Sequence, residues 1–171
     1  MIFEPTPLAG LFVVRPAKHA DDRGFFTRLW SVEDFAAVGF MPTQISASFN
    51  HAALTLRGMH WQAAPHGETK LVRATAGRVF DVAVDLRDGP TRHRWFGCVL
   101  DASEHNALLI PPGFAHGFLT LTEGAEILYA IDTPYAPGAA RGARWDDPAF
   151  AIDWPGVPSV MAERDRAWHL L

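Results

Sequence analysis

At 171 residues the chain is long enough for one compact domain and short for two. With 49% hydrophobic and 20% charged residues it holds enough apolar material for a sizeable core, which excludes disorder over the whole chain. Lys and Arg number 15 against 19 Asp and Glu, a net charge of −4, so nothing calls for nucleic acid, although a local basic pocket can still hold a phosphate.

No stretch reaches the roughly 18 continuous apolar residues of a membrane span. The opening MIFEPTPLAGLFVV has no basic run before its apolar part and does not read as a secretory signal. The one cysteine, Cys98, excludes an internal disulfide and a cysteine-rich metal centre. The expected compartment is the cytoplasm.

In chain order, Leu11 to Arg15 reads as a strand. Ser31 to Gly39 reads as a helix: Ser31 suits the N-cap, acids sit in the first turn, and Gly39 suits a left-handed end. Thr43 to Phe49 alternates weakly. Thr69 to Thr75 is a strand closed by the turn signal Ala76-Gly77. Arg78 to Leu86 alternates cleanly, with Phe80, Val82, Val84 and Leu86 on one face and Val79, Asp81, Ala83 and Asp85 on the other. Trp95 to Leu100, Ala107 to Ile110, Gly117 to Leu121 and Glu126 to Asp132 complete the strands. A second short helix is expected near Val160 to Trp168. Many short strands punctuated by turns predict an all-β sandwich, jelly roll or barrel in one domain spanning residues 1–171.

Of eight histidines, His19, His51, His66, His93 and His105 lie in polar, turn-like stretches, and His169 lies near the C-terminus. His60 follows Arg57 by three residues, and His116 comes out of a Pro-rich turn onto an apolar strand. For either one alone, packing explains the residue as well as a site does. A metal-binding jelly roll needs a His-x-His pair, a glutamate and a later histidine. Glu68 and His116 are available, but the pair reads His60-Trp61-Gln62, and an incomplete set argues against tight metal binding. Asp81 and Asp85 are best read as satisfied buried or rim carboxylates. Lys70 shares a strand face with Val72, where a lysine is costly unless paired or used, although alone it is more often solvated. Cys98 in an apolar strand reads as a buried, inert thiol. Phe25, Phe26 and Tyr135 flank polar turns, where an aromatic ring can stack on a base or sugar.

Set in order, the motifs resemble one family. They are Asp22-Arg23-Gly24-Phe25-Phe26, Leu56-Arg57-Gly58-Met59-His60-Trp61-Gln62 and Lys70-Leu71-Val72-Arg73, then the run Gly77 to Arg87. Ile110 to Phe118, Leu128-Tyr129, Tyr135-Ala136-Pro137, Trp145 to Pro148, Ile152 to Pro155 and Arg164-Asp165 follow. Each is weak alone; together they cover almost the whole chain and resemble the dTDP-4-dehydrorhamnose 3,5-epimerase family. The resemblance implies a cupin-type jelly roll (a double-stranded β-helix with a few short helices) and inversion of a carbon beside the C4 ketone of a nucleotide-linked 4-keto-6-deoxy sugar. Inversion needs a proton taken from one face and returned to the other. By resemblance His60 is the base, Asp165 orients it, Tyr129 is the acid on the far face, and Lys70 stabilises the enolate at O4. Arg57 and His116 line the pocket. Arg23 and Phe26 hold the nucleotide, and Tyr135, Gln44 and Ser48 add further contacts. No organic cofactor and no metal are implied. The partners implied are a nucleotide-diphosphate sugar and a second copy of the chain, whose N-terminal segment reaches the neighbouring site; neither nucleic acid nor a membrane is expected.

Two departures stand out. The family commonly reads Phe-Phe-x-Glu where this chain has Phe25-Phe26-Thr27-Arg28, and Gln-Asp-Asn-x-Ser where it has Gln44-Ile45-Ser46-Ala47-Ser48. Either the nucleotide or sugar differs from dTDP-4-keto-6-deoxyglucose, or these positions have drifted with specificity intact. A nucleotide-sugar ketoisomerase is the nearest alternative, and Tyr129 beside His60 and Asp165 favours epimerisation over it. A metal-dependent cupin oxygenase is disfavoured by His-x-Gln. A non-catalytic binding protein would not need a base, its orienting acid, a lysine and a tyrosine together.

Overall fold

A computed structural model describes residues 1–171. Its strands are β1 (Ile2–Pro5), β2 (Phe12–Arg15), β3 (Lys18–Asp21), β4 (Gly24–Thr27), β5 (Gln44–Asn50), β6 (Thr55–Gln62) and β7 (Lys70–Ala76). They continue with β8 (Arg78–Asp85), β9 (Trp95–Asp101), β10 (Ala107–Ile110), β11 (Phe114–Thr120), β12 (Ala125–Ile131), β13 (Ala140–Gly142) and β14 (Val160–Met161). The helices α1 (Val32–Phe35) and α2 (Glu163–Arg166) are single turns, and no helix is long and apolar enough to cross a membrane. One sheet has the order β1-β2-β10-β7-β12-β5 and the other β13-β6-β11-β8-β9, with β14 parallel to β6 at its side. All other pairings are antiparallel, and β3 and β4 form a separate hairpin. This is the expected all-β jelly roll.

The two faces predicted for β8 are both buried, for different reasons. Val79 and Ala83 enter the main core between the sheets, with Leu11, Val72, Leu100, Leu108, Phe118 and Ile127. Val82 and Val84 face outward and are covered by Phe150, with Met59 and Ala115 alongside. The outer face of the other sheet is covered by Phe35 and Phe40, packed on Val14, Leu71 and Leu109. Strands covered on both sides lose polar-apolar alternation, which is why β10 and β11 read as apolar runs.

The helix predicted from Ser31 forms as drawn at both ends. Ser31 Oγ accepts the Asp34 amide at 3.1 Å, and Gly39 closes the segment in the left-handed region at φ 65°. Between them one α-turn tightens into a 3-10 turn over Ala36–Val38. The second predicted helix is only partly one. Val160 and Met161 pair with Thr55 and Leu56 as β14, and helix begins at Glu163. The Leu54 carbonyl takes the Ser159 and Val160 amides first and draws the chain out as an edge strand.

Strand β6 was not among the predicted strands, because Arg57, Gly58 and His60 break its alternation. Its geometry depends on two glycines. Gly58 lies at φ 142°, and a Cβ there would fall 2.6 Å from Gly117 Cα on β11. This close crossing accompanies a bulge between His116 and Phe118, and it leaves His60 directly opposite His116.

Arg73 was also read only as a strand residue. It is buried and donates to the carbonyls of Leu29 and His105, so it fastens the chain leaving β4 to the β9–β10 turn. Burial pushes its guanidinium down to about 10.

Candidate active site

The inner faces of several strands change character along their length. β7 presents Lys70, then Val72 and Ala74; β12 presents Ala125 and Ile127, then Tyr129. Because the two strands are antiparallel neighbours, their polar ends coincide. At that end the sandwich opens into a cleft of about 820 Å³. One wall carries Gln44, Ser46, Ser48, Lys70 and Tyr129; the other carries Arg57, His60, Gln62 and His116. Asp165 and Trp168 close one side from the C-terminal segment.

His60 Nε2 donates to Asp165 Oδ1 at 2.7 Å, and the second Asp165 oxygen accepts the Gly58 amide at 3.2 Å. The Asp165 side chain is 3% exposed and that of His60 31% exposed. Burial alone would raise the Asp165 carboxyl. The hydrogen bond and charge of His60, the Gly58 amide and nearby Arg164 outweigh it and hold the group below the usual carboxylate range. With Nε2 committed, Nδ1 is the ring nitrogen left to take a proton.

A second such pair lies deeper. His116 Nε2 donates to Asp81 Oδ1 at 2.8 Å, with side chains 6% and 0% exposed. The other Asp81 oxygen is buried without a hydrogen-bond partner. Asp81 was expected to be satisfied and is so on one oxygen only. Asp85 meets the expectation fully: buried at the end of β8, it accepts from Arg87 and Thr91. The Tyr129 ring meets His116 edge-on at 6.2 Å, and its hydroxyl lies 3.3 Å from Ser48 Oγ. Burial pushes the Tyr129 phenol well above its ordinary value, so it holds its proton far into the alkaline range.

Lys70 Nζ lies 2.9 Å from Glu68 Oε1, and their side chains are 12% and 10% exposed. The inward lysine is therefore paired. Gln62 donates to Glu68 Oε2 at 3.2 Å and to the His66 carbonyl at 3.1 Å, and accepts the Ala136 amide at 2.6 Å. Where a metal-binding jelly roll would place its second ligand, this chain has a crosslink between two loops. No three His, Cys, Asp or Glu side chains converge as a metal set requires. Arg57 is braced by Asn50 Oδ1 at 2.8 Å. Tyr135 stands at the rim.

Arg23 and Phe26 stay apart from these groups. Both lie on the β3–β4 hairpin, outside the cleft of their own chain. Arg23 pairs with Asp21 at 2.6 Å, and Phe26 is 69% exposed. Cys98 is half-buried on β9, its thiol pushed up to about 12 by burial, as an inert cysteine should be.

Several cleft residues leave no signal in the sequence. Trp168 had none: its indole lies flat against Gly142, where a Cβ would overlap the ring. Arg141 also lines the cleft and carries no pattern of its own, whereas Arg164 lies beside Asp165 in the motif quoted for the resemblance.

The sequence and the fold are similar to those of known proteins. Residues 5–171 match the family model for dTDP-4-dehydrorhamnose 3,5-epimerase. A dTDP-4-dehydrorhamnose 3,5-epimerase from Sinorhizobium fredii is 39% identical over 171 residues, 96% of this chain and 87% of its own length. A crystal structure of the Bacillus anthracis dTDP-4-dehydrorhamnose 3,5-epimerase, with TDP and pyrophosphate bound, superposes with a TM-score of 0.94 at 36% identity, covering 99% of each chain. A 3'-monoepimerase from Streptomyces bikiniensis in complex with dTDP-quinovose superposes at 0.90 and 29% identity, over 97% of this chain and 86% of that one. The cleft, the strand order and the sequence thus lead to one assignment: the chain belongs to the dTDP-4-dehydrorhamnose 3,5-epimerase family, a family of carbohydrate isomerases.

Proposed function

We propose that the protein inverts C3, C5 or both in a dTDP-linked 4-keto-6-deoxy sugar by proton transfer through an enolate. The C4 ketone acidifies the neighbouring C–H. His60 Nδ1 takes that proton, and Asp165 holds the ring and stabilises the imidazolium. Charge moves to O4, where the Lys70 ammonium meets it. Tyr129 returns a proton to the opposite face. The observation that carries this reading is the placement of His60 and Tyr129 on opposite sheets, so that a sugar between the walls has a base on one side and a proton donor on the other.

The test is incubation with dTDP-4-keto-6-deoxyglucose in heavy water, followed by mass spectrometry and NMR. Deuterium at C3, at C5 or at both is the expected result, and it identifies the inverted centre. No incorporation by the folded protein overturns the reading.

Two finer points belong to the same proposal. Of the residues departing from the family pattern, only Ser46 faces the cleft; Ile45 points outward on β5, and Arg28 sits 3.8 Å from Asp34 outside it. Any change of specificity within one chain therefore runs through Ser46, and competition among dTDP, UDP, GDP and CDP reads it. The exposed hairpin with Arg23 and Phe26 supports a homodimer in which each hairpin completes the partner's site. A monomer at micromolar concentration in sedimentation removes that role. A nucleotide-sugar substrate supports a cytoplasmic location.

A further inference from the structure

We infer that Glu68 is a positioning residue that acts through Lys70, and that Gln62 in turn aims Glu68. The inference rests on the reading of Lys70 given above. A lysine side chain has four rotatable bonds, so an ammonium needed at one point in a cleft must be held there. Lys70 opens β7, where the strand fixes its backbone but not its tip. Glu68 Oε1, at 2.9 Å, is the one carboxylate paired with that tip. Glu68 lies outside any strand and would itself be free to turn. Gln62 prevents this: buried on β6, its amide spans Glu68 Oε2, the His66 carbonyl and the Ala136 amide.

The chain of contacts therefore runs from a rigid strand, through an amide, to a carboxylate, to an ammonium. A charge-assisted contact of this kind is short and directional. Other charged and titratable groups line the same cleft: Arg57 and His60 on β6, His116 on β11, Tyr129 on β12, Arg141 on β13 and Asp165 on α2. Asp165 is taken by His60, so Glu68 alone among the cleft carboxylates serves the lysine.

A double-mutant cycle tests the inference, with dTDP-4-keto-6-deoxyglucose as substrate and deuterium incorporation as the rate. Glu68→Ala should lower kcat about tenfold with KM within about twofold, since the lysine is misplaced for the enolate while the binding surface remains. Glu68→Gln keeps the shape and an acceptor for Lys70, and should lose about threefold. In a Lys70→Met background, Glu68→Ala should change the rate by less than about twofold, because the group it positions is gone. Equal losses in both backgrounds, or a rise in KM in place of a fall in kcat, overturn the inference and mark Glu68 as structural. A Lys70→Met protein as fast as the parent overturns the Lys70 reading itself, and the inference with it. Circular dichroism and urea midpoints confirm that the compared proteins are folded, and Glu68→Gln carries the test if Glu68→Ala is not.

Discussion

The cleft holds two histidine–aspartate pairs of nearly equal length, 2.7 Å for His60–Asp165 and 2.8 Å for His116–Asp81, in opposite settings. In the first, the carboxylate is buried and served by His60 and the Gly58 amide, while the imidazole reaches the open space. Its members lie 105 residues apart in the chain. In the second, both members sit on adjacent strands β8 and β11, both are sealed, and one carboxylate oxygen has no partner. A base must gain and lose a proton every turnover, so its counter-charge has to be stable before and after. The first pair suits the base proposed above; the second is sealed, and the Tyr129 ring packs edge-on against its histidine.

That contrast can be broken by separating activity from stability. His60→Ala should lower deuterium incorporation about 10³-fold, within the range for a lost general base, and lower the urea midpoint less than His116→Ala does, because Asp165 keeps the Gly58 amide and nearby Arg164. Tyr129→Phe should lose about 10²-fold or more in inversion, with a smaller loss in first proton exchange if His60 still abstracts. His116→Ala should instead appear in unfolding: Asp81 is left buried with neither oxygen paired, which costs about 3–5 kcal/mol. If His116→Ala unfolds at the parent midpoint, or His60→Ala loses comparable stability, the division between a working pair and a structural pair is wrong. The outer core provides a scale for that measurement. Phe35, fully buried and edge-on to Phe3 at 5.0 Å, should cost a similar ~3–5 kcal/mol on truncation to Ala, with the cleft unaltered.

The same two pairs show how far a sequence can be read. The second was half visible: clean alternation in Arg78–Asp85 put Asp81 inside, and His116 announced itself after Pro111-Pro112-Gly113. Nothing local said that they touch, because the register of β8 against β11 is a tertiary fact. The first was invisible to periodicity. His60 lies on a strand whose pattern is broken by Arg57 and by the Gly58–Gly117 crossing, so no strand was expected there. Asp165 lies in a segment read as one helix and found as a short strand followed by a single helical turn. Only the order of motifs along the whole chain connected it with His60. Helix caps, turns and two-faced strands are local and were legible. Contacts between distant segments, such as Arg73 with Leu29 or Trp168 with Gly142, depend on chain closure and leave no local trace.

The smallest expected effect follows from the ionisation of Asp165. Its folded-state carboxyl lies below the usual carboxylate range, although burial acts the other way, because His60, the Gly58 amide and Arg164 all favour the ionised form. In the unfolded chain the group returns to about 3.9. Folding therefore holds the carboxylate ionised at acidities where the unfolded chain binds a proton. The resulting stabilisation is present in full above about pH 3.9 and is lost as the pH falls through the folded-state value. Asp165→Asn lacks this stabilisation. The parent should accordingly exceed Asp165→Asn in urea midpoint near pH 6, and the gap should shrink as the pH is taken below about 4. His116–Asp81 offers the control: in an Asp165→Asn, His116→Ala double variant the stability lost with His116 should remain, since the two pairs share no partner. A gap that is constant from pH 6 to below 4 would mean that Asp165 acts through packing and not through its charge, and the first pair would then differ from the second in exposure alone.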